Sequence, residues 1–445
     1  MNKKIGFISL GCAKNLTDTE TMLGILADDG FEITADAADS DIIVVNTCAF
    51  IDSAKEESIN AILEMAQLKE NKCELLVVTG CLAQRYKEDI ASSLPEVDIV
   101  LGTNDYPNIA KAIKDYYEKG EKTSLVSSEN TPVAYDLPRI KSTPFYSAYL
   151  KIADGCDNFC TYCIIPKLRG KFRSRPMESI LSEAKELAKD GVKELILVAQ
   201  DTACYGKDIN LSLAKLLREL SKIDSIEWIR LQYSYPENIT DELIDEIASN
   251  KKIVKYLDMP LQHISDNILK LMGRKSRKQE VEALIEKLRQ KIPGLSIRTS
   301  LITGFPGETQ KDFEILKDFL IKYRIDKVGV FAYSREEGTA AYKFENQIDE
   351  EIKENRKDEL MKLQMGISLQ LNKEKIGKKA FVLIEGYDEE EFSYVGRCST
   401  DTPDVDGTAY VYSEDELEAG DIVEIEIIDF SEYDIVGKLT KGKDD

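Results

Sequence analysis

The repeated alternation of short apolar runs and helical patterns between residues 145 and about 330 constrains the fold of this chain more than any other feature. Six strand-like runs recur there, separated by helical stretches such as Met177–Lys189 and Arg277–Lys291. The runs are AYLKIA, ELILVA, WIRLQY, VKYLDM, SIRTSLI and KVGVFAY. Six βα units predict a partial (βα)6 barrel, with the active site at the carboxyl ends of its strands. A helical pattern over Asp349–Lys375 leads out of this domain, which we place at residues 145–375.

The segment before the barrel has a different βα pattern. Its apolar runs IGFISL, IIVVN and LLVVTG are short and nearly continuous, as in a parallel sheet that is covered on both faces. The helical patterns that follow them cover Asp18–Asp29, Ser53–Leu68 and Gln84–Ser93. Residues 1–118 therefore predict a doubly wound α/β domain. Residues 119–144 are polar, contain several prolines and are only weakly periodic, so we interpret them as a linker.

The last segment, residues 376–445, has the pattern of a small all-β domain. Five short strand patterns are separated by DG, AG and acidic turns. The strands are AFVLIEG, FSYVGRC, GTAYVY, DIVEIEI and DIVGKL. This spacing predicts a small β-barrel.

Three cysteines follow the first barrel strand in the sequence GCDNFCTYC. Cys156, Cys160 and Cys163 come at the predicted mouth of the barrel, and their spacing is typical of iron–sulfur ligation. A cubane cluster of four irons needs four ligands, so three thiolates leave one iron open for chemistry. A zinc knuckle is the alternative, but it needs four Cys or His ligands, and the only histidine, His263, is about a hundred residues away.

Three further cysteines occupy equivalent places in the first domain. Cys12, Cys48 and Cys81 each come just after a predicted strand. Because the carboxyl ends of parallel strands line one crevice, we expect these thiols to converge on a second cluster. Buried cysteines that merely fill the core are the alternative, and they would lie within the strands instead. The remaining cysteines lack this placement and are interpreted as packing residues: Cys73, Cys204 and Cys398.

The triad, with Tyr162 just before its last cysteine, resembles that of the radical S-adenosylmethionine (SAM) enzymes. Together with the upstream cysteines and the small barrel, it makes nearly the whole chain similar to the radical SAM methylthiotransferases. The motifs LGCAKNLTDTE, VVNTCAFIDSAKEES, AQDTACYG and YLDMPLQHIS resemble the protein-directed branch of that family. Ala13 departs from the proline that this branch usually has after the first cysteine, which changes the stiffness of the loop but not the ligands.

This resemblance implies a function and two cofactors. It implies two [4Fe–4S] clusters, one on the triad that cleaves SAM to a 5′-deoxyadenosyl radical and one on the first-domain cysteines that delivers sulfur. It also implies that the last segment is a TRAM domain. The implied reaction is methylthiolation of the β-carbon of an aspartate in small-subunit ribosomal protein twelve, with SAM as methyl donor and radical source. The alternative within the family is a tRNA adenosine methylthiotransferase.

The charge distribution favours the protein substrate. Residues 376–445 contain twenty acidic and six basic side chains, a net charge of −14 within −22 for the whole chain. A domain that grips RNA should be basic, whereas an acidic surface can attract a basic ribosomal protein. The alternative is that these acidic residues only keep the surface soluble.

Several other residues are candidates for contacts with SAM. Gln200 and Asp201 follow the second barrel strand, and the loop containing Gly304 and Glu308 follows the fifth. A plain turn is the alternative for that loop, and we interpret His263 as a packed or capping residue. No catalytic side chain can be assigned. A further pattern, KLRGKFRSR, would place five basic side chains on one face of a strand: Lys167, Arg169, Lys171, Arg173 and Arg175.

Composition and hydropathy indicate where the protein acts and which class it belongs to. The N-terminal residues have a short strand pattern rather than a secretory signal, and no apolar run approaches the ~18 residues of a membrane span. Nine cysteines without a secretory signal indicate metal or redox chemistry in a reducing cytoplasm. We expect a cytoplasmic enzyme whose ribosomal substrate is free or within a particle, with an electron donor and a sulfur source that the sequence does not identify. A non-catalytic electron-transfer or scaffold protein is the alternative class, and it would need neither the barrel nor the SAM loop.

Overall fold

The computed structural model describes residues 3–132 and 135–441. These residues form three successive domains: a parallel α/β sheet, a partial βα barrel and a closed β-barrel. The predicted fold class is therefore confirmed. The predicted domain limits at residues 1 and 445 lie outside the described residues.

The first domain is built on a six-stranded parallel sheet. Its strands are β1 (Lys4–Ser9), β2 (Glu32–Thr34), β3 (Ile42–Thr47), β4 (Leu75–Gly80), β5 (Ile99–Leu101) and β6 (Thr123–Leu125). They are ordered β2-β1-β3-β4-β5-β6, so the chain winds outward in both directions from β1 and β3. Strand β6 lies beyond residue 118, in the stretch predicted as a linker.

Helices cover both faces of this sheet. They are α1 (Ala13–Asp28), α2 (Asp52–Gln67), α3 (Cys81–Arg85), α4 (Lys87–Ser93) and α5 (Ile109–Lys119). Val44 packs in a core with Met22 of α1, while its neighbour Val45 packs in a separate core with Ile62 of α2. Alternate strand residues thus face opposite layers, as expected when both faces are buried.

The predicted start and end residues of two helices in this domain were wrong. Helix α1 begins five residues before the predicted start, because Cys12 is its N-cap and its first turns carry buried polar side chains that hydropathy assigns to the surface. The predicted helix Gln84–Ser93 is instead the pair α3 and α4, which meet at Tyr86, where the backbone leaves the helical region with φ −129°.

The second domain contains a six-stranded, all-parallel sheet and a short antiparallel ribbon. Its strands are β7 (Ser147–Lys151), β8 (Ala153–Asp154), β9 (Arg173–Ser174), β10 (Glu194–Val198), β11 (Trp228–Leu231), β12 (Ile253–Asp258), β13 (Ser296–Thr303) and β14 (Lys327–Ala332). The sheet order is β7-β10-β11-β12-β13-β14, and β8 pairs with β9. This is the predicted sequential order of a partial barrel.

The barrel helices follow the strands in regular alternation. They are α6 (Ile165–Arg169), α7 (Met177–Lys189), α8 (Leu213–Leu220), α9 (Asp241–Ser249), α10 (Asp266–Leu271), α11 (Lys278–Lys291), α12 (Gln310–Tyr323) and α13 (Glu350–Lys373). The barrel strands share one large apolar core with α7, α8, α9, α11, α12 and α13. Across the described ranges, no helix combines the length and the apolar character needed to cross a membrane.

The third domain is a closed five-stranded barrel. Its strands are β15 (Lys379–Asp388), β16 (Ser393–Cys398), β17 (Ala409–Tyr412), β18 (Ile422–Phe430) and β19 (Ile435–Lys441). They close in the order β15-β16-β17-β19-β18, so no strand edge is left open. Its core packs alternate residues such as Val382, Ile384 and Ile425.

A buried ion-pair network attaches the third domain to the second. Glu194, the first residue of β10, is fully buried and accepts hydrogen bonds from Arg397 of β16 and from Arg230 of β11, with Arg230 Nε 2.9 Å from Glu194 Oε1. Arg397 also donates to the half-exposed Glu385. Burial alone would raise the pKa of Glu194, but Arg397 and Arg230 outweigh it and lower the pKa to about 2.

This network predicts a large effect of the substitution Glu194→Gln. It leaves two buried guanidinium groups without their shared carboxylate, and breaking a buried pair in this way costs about 3–5 kcal/mol in the free energy of unfolding. Chemical denaturation would measure the loss. Glu385→Gln is the matched control, with an effect below about 1 kcal/mol because that carboxylate is partly exposed to solvent.

The same network predicts the direction of a pH effect. The folded pKa of Glu194 lies below its ordinary value of 4.5, so its contribution to stability is complete above pH 4.5 and is lost as the pH falls toward 2. The Glu194→Gln protein should show less acid destabilisation across that window than the wild type. Equal acid sensitivity of the two proteins would show that protonation of Glu194 does not cause the acid destabilisation.

Candidate functional site

The cysteine triad lies in the loop that connects β8 to α6. Cys156 and Cys160 are each 6% exposed, and Cys163 is half-buried. The backbone N–H of Cys156 donates to the carbonyl of Gly170 at 3.0 Å, and that of Cys163 donates to the carbonyl of Cys160 at 3.0 Å. Burial raises the pKa of Cys156 to about 11, and burial with the nearby Cys160 raises the pKa of Cys163. The three thiols therefore share one pocket.

Contacts on both sides hold the middle of this loop in place. The N–H of Thr161 donates to the carbonyl of Met272, and its hydroxyl donates to the carbonyl of Leu271, at 2.9 and 2.8 Å. The ring of Tyr162 meets Phe305 edge-on at 6.4 Å between centroids. The aromatic residue before the last cysteine is thus a packing residue that fixes the loop.

A buried arginine adjoins the triad. Arg274 is 3% exposed, and its Nη1 lies 3.9 Å from Cys160 Sγ. Its Nη2 donates to the carbonyl of Pro260 at 2.9 Å, and its guanidinium lies over the ring of Tyr235 at 4.2 Å. This cation favours thiolate over thiol nearby. Sequence reasoning missed it, because a basic run after a helix has the pattern of a solvated surface.

The first-domain cysteines converge at the carboxyl edge of their sheet. Cys12 caps α1, Cys48 directly follows β3, and Cys81 directly follows β4. At Gly11 (φ +90°) a Cβ would lie 3.1 Å from Cys48 Sγ, so the loops carrying Cys12 and Cys48 are in contact. Besides burial, the charge of Cys12 raises the pKa of Cys48, and the charges of Cys48 and Cys12 raise the pKa of Cys81.

Two cations surround this second group of thiols. Burial raises the pKa of Cys81 to about 12, against a lowering effect of Arg169. The side chain of Cys12 is exposed. Desolvation would raise its pKa, but Lys14 and Arg169, together with the backbone N–H groups of Asn15 and Lys14, outweigh this effect and lower the pKa. The chain thus places positive charge where thiolate ligands would concentrate negative charge.

Neither group of thiols has the arrangement of a site for a single metal ion. Within residues 3–132 and 135–441, no three His, Cys, Asp or Glu side chains are grouped closely enough for a single metal ion. A cubane cluster needs a wider arrangement, because each of its thiolates binds a different iron. Three cysteines in each group, with a cation adjoining each, match the donor chemistry of such a cluster.

The two groups of thiols lie at the same domain interface. Lys14, two residues after Cys12, is buried against the barrel: its Nζ donates to the carbonyl of Ala199 at 3.5 Å and lies 3.8 Å from the ring centre of Tyr233. Ala199 and Tyr233 follow the carboxyl ends of β10 and β11. The first-domain crevice therefore faces the mouth of the barrel, where the triad also lies.

Gln200 and Asp201 lie at this mouth. Gln200 Nε2 donates to Asp154 Oδ1 at 3.0 Å, while its buried Oε1 has no hydrogen-bond partner among the described residues. Asp201 is 1% exposed and accepts hydrogen bonds from the side chain of Asn238 at 2.6 Å and the N–H of Tyr235 at 3.2 Å. Burial raises the pKa of Asp201. Gln200 thus has a free acceptor, whereas Asp201 positions neighbouring loops.

The loop with Gly304 and Glu308 makes its close contacts with helix α13. A Cβ at Gly304 (φ +68°) would lie 2.2 Å from Lys353 Cγ. Glu308 is 3% exposed, accepts the N–H of Gly304 at 2.9 Å and pairs with Arg356 at 2.7 Å. Burial raises the pKa of Glu308 to about 7. A contact of Gly304 or Glu308 with SAM stays a prediction.

His263 is fully buried beside this loop. Its Nδ1 accepts the N–H of Ser265 at 2.9 Å, and burial lowers its pKa to about 3, so the ring is neutral. These contacts match a packed capping residue. The two buried cysteines Cys73 and Cys398 lie in apolar cores, and Cys204 lies near Asp201 at the mouth.

The prediction that KLRGKFRSR forms one basic strand face was wrong. The segment starts as helix α6, and Gly170 (φ +71°) then turns the chain before the short strand β9. Arg169 and Arg175 are buried, at 2% and 8% exposed, and both form ion pairs. The sequence pattern gave no indication that Arg169 and Arg175 are buried, because hydropathy assigns every arginine to the surface.

Three family profiles match successive parts of the chain. The uncharacterized protein family UPF0004 matches residues 4–102, the radical SAM superfamily matches 150–320, and the TRAM domain matches 376–440. These ranges correspond to the first sheet, most of the partial barrel and the closed barrel.

Curated relatives match the chain over nearly its whole length. The protein named ribosomal protein uS12 methylthiotransferase RimO in Acetivibrio thermocellus is 51% identical, covering 99% of both chains. The protein of the same name in Clostridium botulinum strain Eklund 17B is 54% identical, covering 98% of this chain and 97% of its own. That of Geotalea uraniireducens is 49% identical over 99% of both.

Solved structures show the same fold at low sequence identity. The radical S-adenosylmethionine methyltransferase TsrM from Kitasatospora setae, solved with cobalamin and a [4Fe–4S] cluster, is 13% identical with a TM-score of 0.56, covering 75% of this chain and 72% of its own. The cobalamin-dependent S-adenosylmethionine radical enzyme OxsB is 13% identical with a TM-score of 0.51, covering 77% of this chain and 55% of its own.

The geometry predicts two separable sets of iron ligands. Anaerobically reconstituted protein should hold about eight irons, and the triple change C156A/C160A/C163A should leave about four and abolish reductive cleavage of SAM. Iron analysis and detection of 5′-deoxyadenosine would measure both. The matched control changes the buried cysteines Cys73 and Cys398 to Ala and should retain all the iron. Full SAM cleavage by the triple variant would contradict the assigned roles.

Proposed function

The chain belongs to the family of ribosomal protein uS12 methylthiotransferases, and from this membership we propose that it methylthiolates the β-carbon of an aspartate in that ribosomal protein. It is a radical SAM methylthiotransferase. The observation that carries the proposal is 51% identity to a uS12 methylthiotransferase over 99% of both chains. The aspartate is supported by the sequence motifs of the protein-directed branch.

The radical SAM superfamily uses one [4Fe–4S] cluster together with SAM. Cys156, Cys160 and Cys163 would hold that cluster and leave one iron for the amino and carboxylate groups of SAM. When bound, the cluster supplies the electron that splits SAM. The free, buried Oε1 of Gln200 is an acceptor suited to an N–H of the SAM amino group, while Asp154 orients the amide by accepting from its Nε2. Contacts with Gly304 and Glu308 complete the proposed SAM site.

A second [4Fe–4S] cluster is proposed on Cys12, Cys48 and Cys81. When bound, it supplies the sulfur that SAM methylates. Three observations support it: the thiols lie together, two cations compensate their charge, and their crevice faces the mouth of the barrel. The buried Lys14 lies at this interface and orients Tyr233 through its contact with the ring.

The third domain offers a surface suited to a basic protein. A groove of about 710 Å³ on this domain is lined by aromatic side chains, with Phe392 77% exposed, and by acidic side chains between Glu414 and Glu416. Aromatic rings next to carboxylates favour Lys and Arg side chains through cation–π and charge interactions. We assign this groove, lined also by Tyr387 and Tyr412, as the docking surface for the ribosomal protein.

Other parts of the reaction follow from its chemistry. A ribosomal substrate, free or within a particle, places the enzyme in the cytoplasm. Reduction of the SAM-binding cluster needs an external electron donor, and repeated turnover needs a sulfur source to replace the sulfur that leaves with the product.

A deletion strain would test the function directly. Mass spectrometry of its ribosomal proteins should show uS12 lighter by about 46 Da, the difference between SCH3 and H, and the wild-type gene should restore the mass. An unchanged mass of uS12, or loss of a methylthio group from tRNA instead, would overturn the proposal.

The second cluster is tested by the triple change C12A/C48A/C81A in the same assay. This variant should retain reductive SAM cleavage, because the triad has its own ligands, and should form no methylthiolated uS12. Detection of 5′-deoxyadenosine and of product mass separates the two steps. Product formation by this variant would show that the first-domain cysteines are structural.

The acidic surface is tested by the salt dependence of uS12 binding. Affinity should fall as salt rises, because the Debye length shrinks from about 10 Å at 0.1 M to about 3 Å at 1 M. The acidic turn between Tyr387 and Phe392, two residues that line the groove, consists of Asp388, Glu389, Glu390 and Glu391. Changing these four residues to their amides should slow association by about tenfold and change dissociation less.

The control neutralises an equal number of exposed glutamates on the first domain: Glu57, Glu64, Glu70 and Glu88. It should leave the association rate unchanged, and both variants should cleave SAM normally without substrate. Equal slowing by the two variants would show that net charge rather than this surface steers the encounter.

A further inference from the structure

Helix α6 comes from the barrel domain but packs in the core of the first domain. It follows the triad directly in sequence, yet Leu168 and the preceding Ile164 pack in the first-domain core that also contains Cys81. The hydroxyl of Thr103, in the first domain, donates to the carbonyl of Leu168 at 2.7 Å. One short segment therefore runs from the cysteine triad into the first-domain core beside Cys81.

This segment ends in a buried arginine. Arg169 is 2% exposed, and its Nη2 lies 2.9 Å from Asp18 Oδ2 and 3.2 Å from Asn15 Oδ1, both on α1 just after Cys12. Its Nη1 lies 3.1 Å from Asp154 Oδ2, just before the triad. The side chain thus connects the sequence neighbours of both groups of cysteines.

The surrounding charges fix this arginine in place. Lys151 pairs with Asp18 and lies 3.9 Å from Asp154 Oδ2, so two cations and two carboxylates form one buried network. Removing a guanidinium from water costs several kcal/mol unless hydrogen bonds and charges compensate it. The charge of Arg169 also acts on the thiols of Cys12 and Cys81 as well as on Cys48.

We propose that Arg169 is a positioning residue for the second cluster: the radical SAM domain inserts it against Cys12, Cys48 and Cys81, where it raises the reduction potential of the cluster that they hold. This inference rests on the proposed second cluster. Reduction adds one negative charge to an already anionic group, and a fixed, buried guanidinium beside that group stabilises the added charge. Because Arg169 comes from α6 of the radical SAM domain, its charge lies beside this cluster only when the two domains are docked.

The test uses the full-length C156A/C160A/C163A protein, which holds only the second cluster. Arg169→Gln in this background should lower the equilibrium constant for one-electron reduction about tenfold, which is about 59 mV. Redox titration followed by electron paramagnetic resonance measures it. Arg169→Lys, which keeps the charge, should restore most of the potential.

Arg139→Gln is the matched control. Arg139 is also buried between domains, pairing with Glu20 of α1 and Glu183 of α7, and its charge partners are carboxylates rather than thiols. It should leave the potential unchanged. If Arg169→Gln prevents cluster formation, iron retention by Arg169→Lys and by Arg139→Gln still supports the proposal, and iron loss from all three overturns it.

Two further outcomes would overturn the inference, each for a different reason. An unchanged potential in Arg169→Gln, or an equal shift in Arg139→Gln, would show that Arg169 only holds the domains together. Failure of the parent triple variant to bind iron would overturn the second cluster itself, before any change at Arg169 is made.

Discussion

The structure depends on buried charge pairing between the first domain and the barrel. Arg169 and Lys151 are compensated by Asp18 and Asp154, and none of these groups could be buried without the others. Such networks require side chains to lie at hydrogen-bond distances from one another, so they define the relative position of two domains more narrowly than apolar packing does. The same network fixes the position of the two groups of cysteines relative to each other, because Cys12 adjoins one end of the network and Cys156 adjoins the other. A reaction that passes an atom from one centre to another needs such a fixed separation.

The first domain contacts the mouth of the barrel through the side chain of Lys14. Lys14 covers Tyr233 and reaches the carbonyl of Ala199, so a side chain of one domain lies over strand ends of the next. Tyr233 has a positive φ of 59°, an uncommon conformation for a non-glycine residue, and it directs its ring toward that lysine. Strained residues at a site require support from their surroundings. Here the neighbouring Asp258 accepts the Tyr233 N–H at 3.3 Å, and the cation packs on the ring.

Sequence reasoning succeeded where apolar periodicity and backbone spacing determine the structure. The run LLVVTG became β4 without a shift of a residue, and the post-strand position of Cys48 and Cys81 followed from the direction of parallel strands. It was wrong where charge is buried, as in KLRGKFRSR, since composition cannot distinguish a solvated Arg169 from one that is 2% exposed. Arg274 escaped notice for the same reason. A basic residue close in sequence to a cysteine triad, next to a glycine that can turn the chain, is the signal that could have indicated Arg169.

The third domain is attached by the same physical means on another side of the barrel. Besides Glu194, the segment between β16 and β17 makes several polar contacts with inner residues of the barrel: Ser399 accepts from Arg230 at 2.9 Å, and Thr402 accepts from Gln232 at 2.6 Å. Gln232 directly precedes Tyr233, so the contacts made by the third domain reach the residue over which Lys14 lies. Apart from a small apolar patch around Trp228, the surfaces that meet are polar. The third domain has its own apolar core, whereas the core of the first domain includes Ile164 and Leu168 from the barrel domain. The first domain and the barrel are therefore joined by apolar packing as well as by charge pairing, while the third domain is attached mainly through polar contacts.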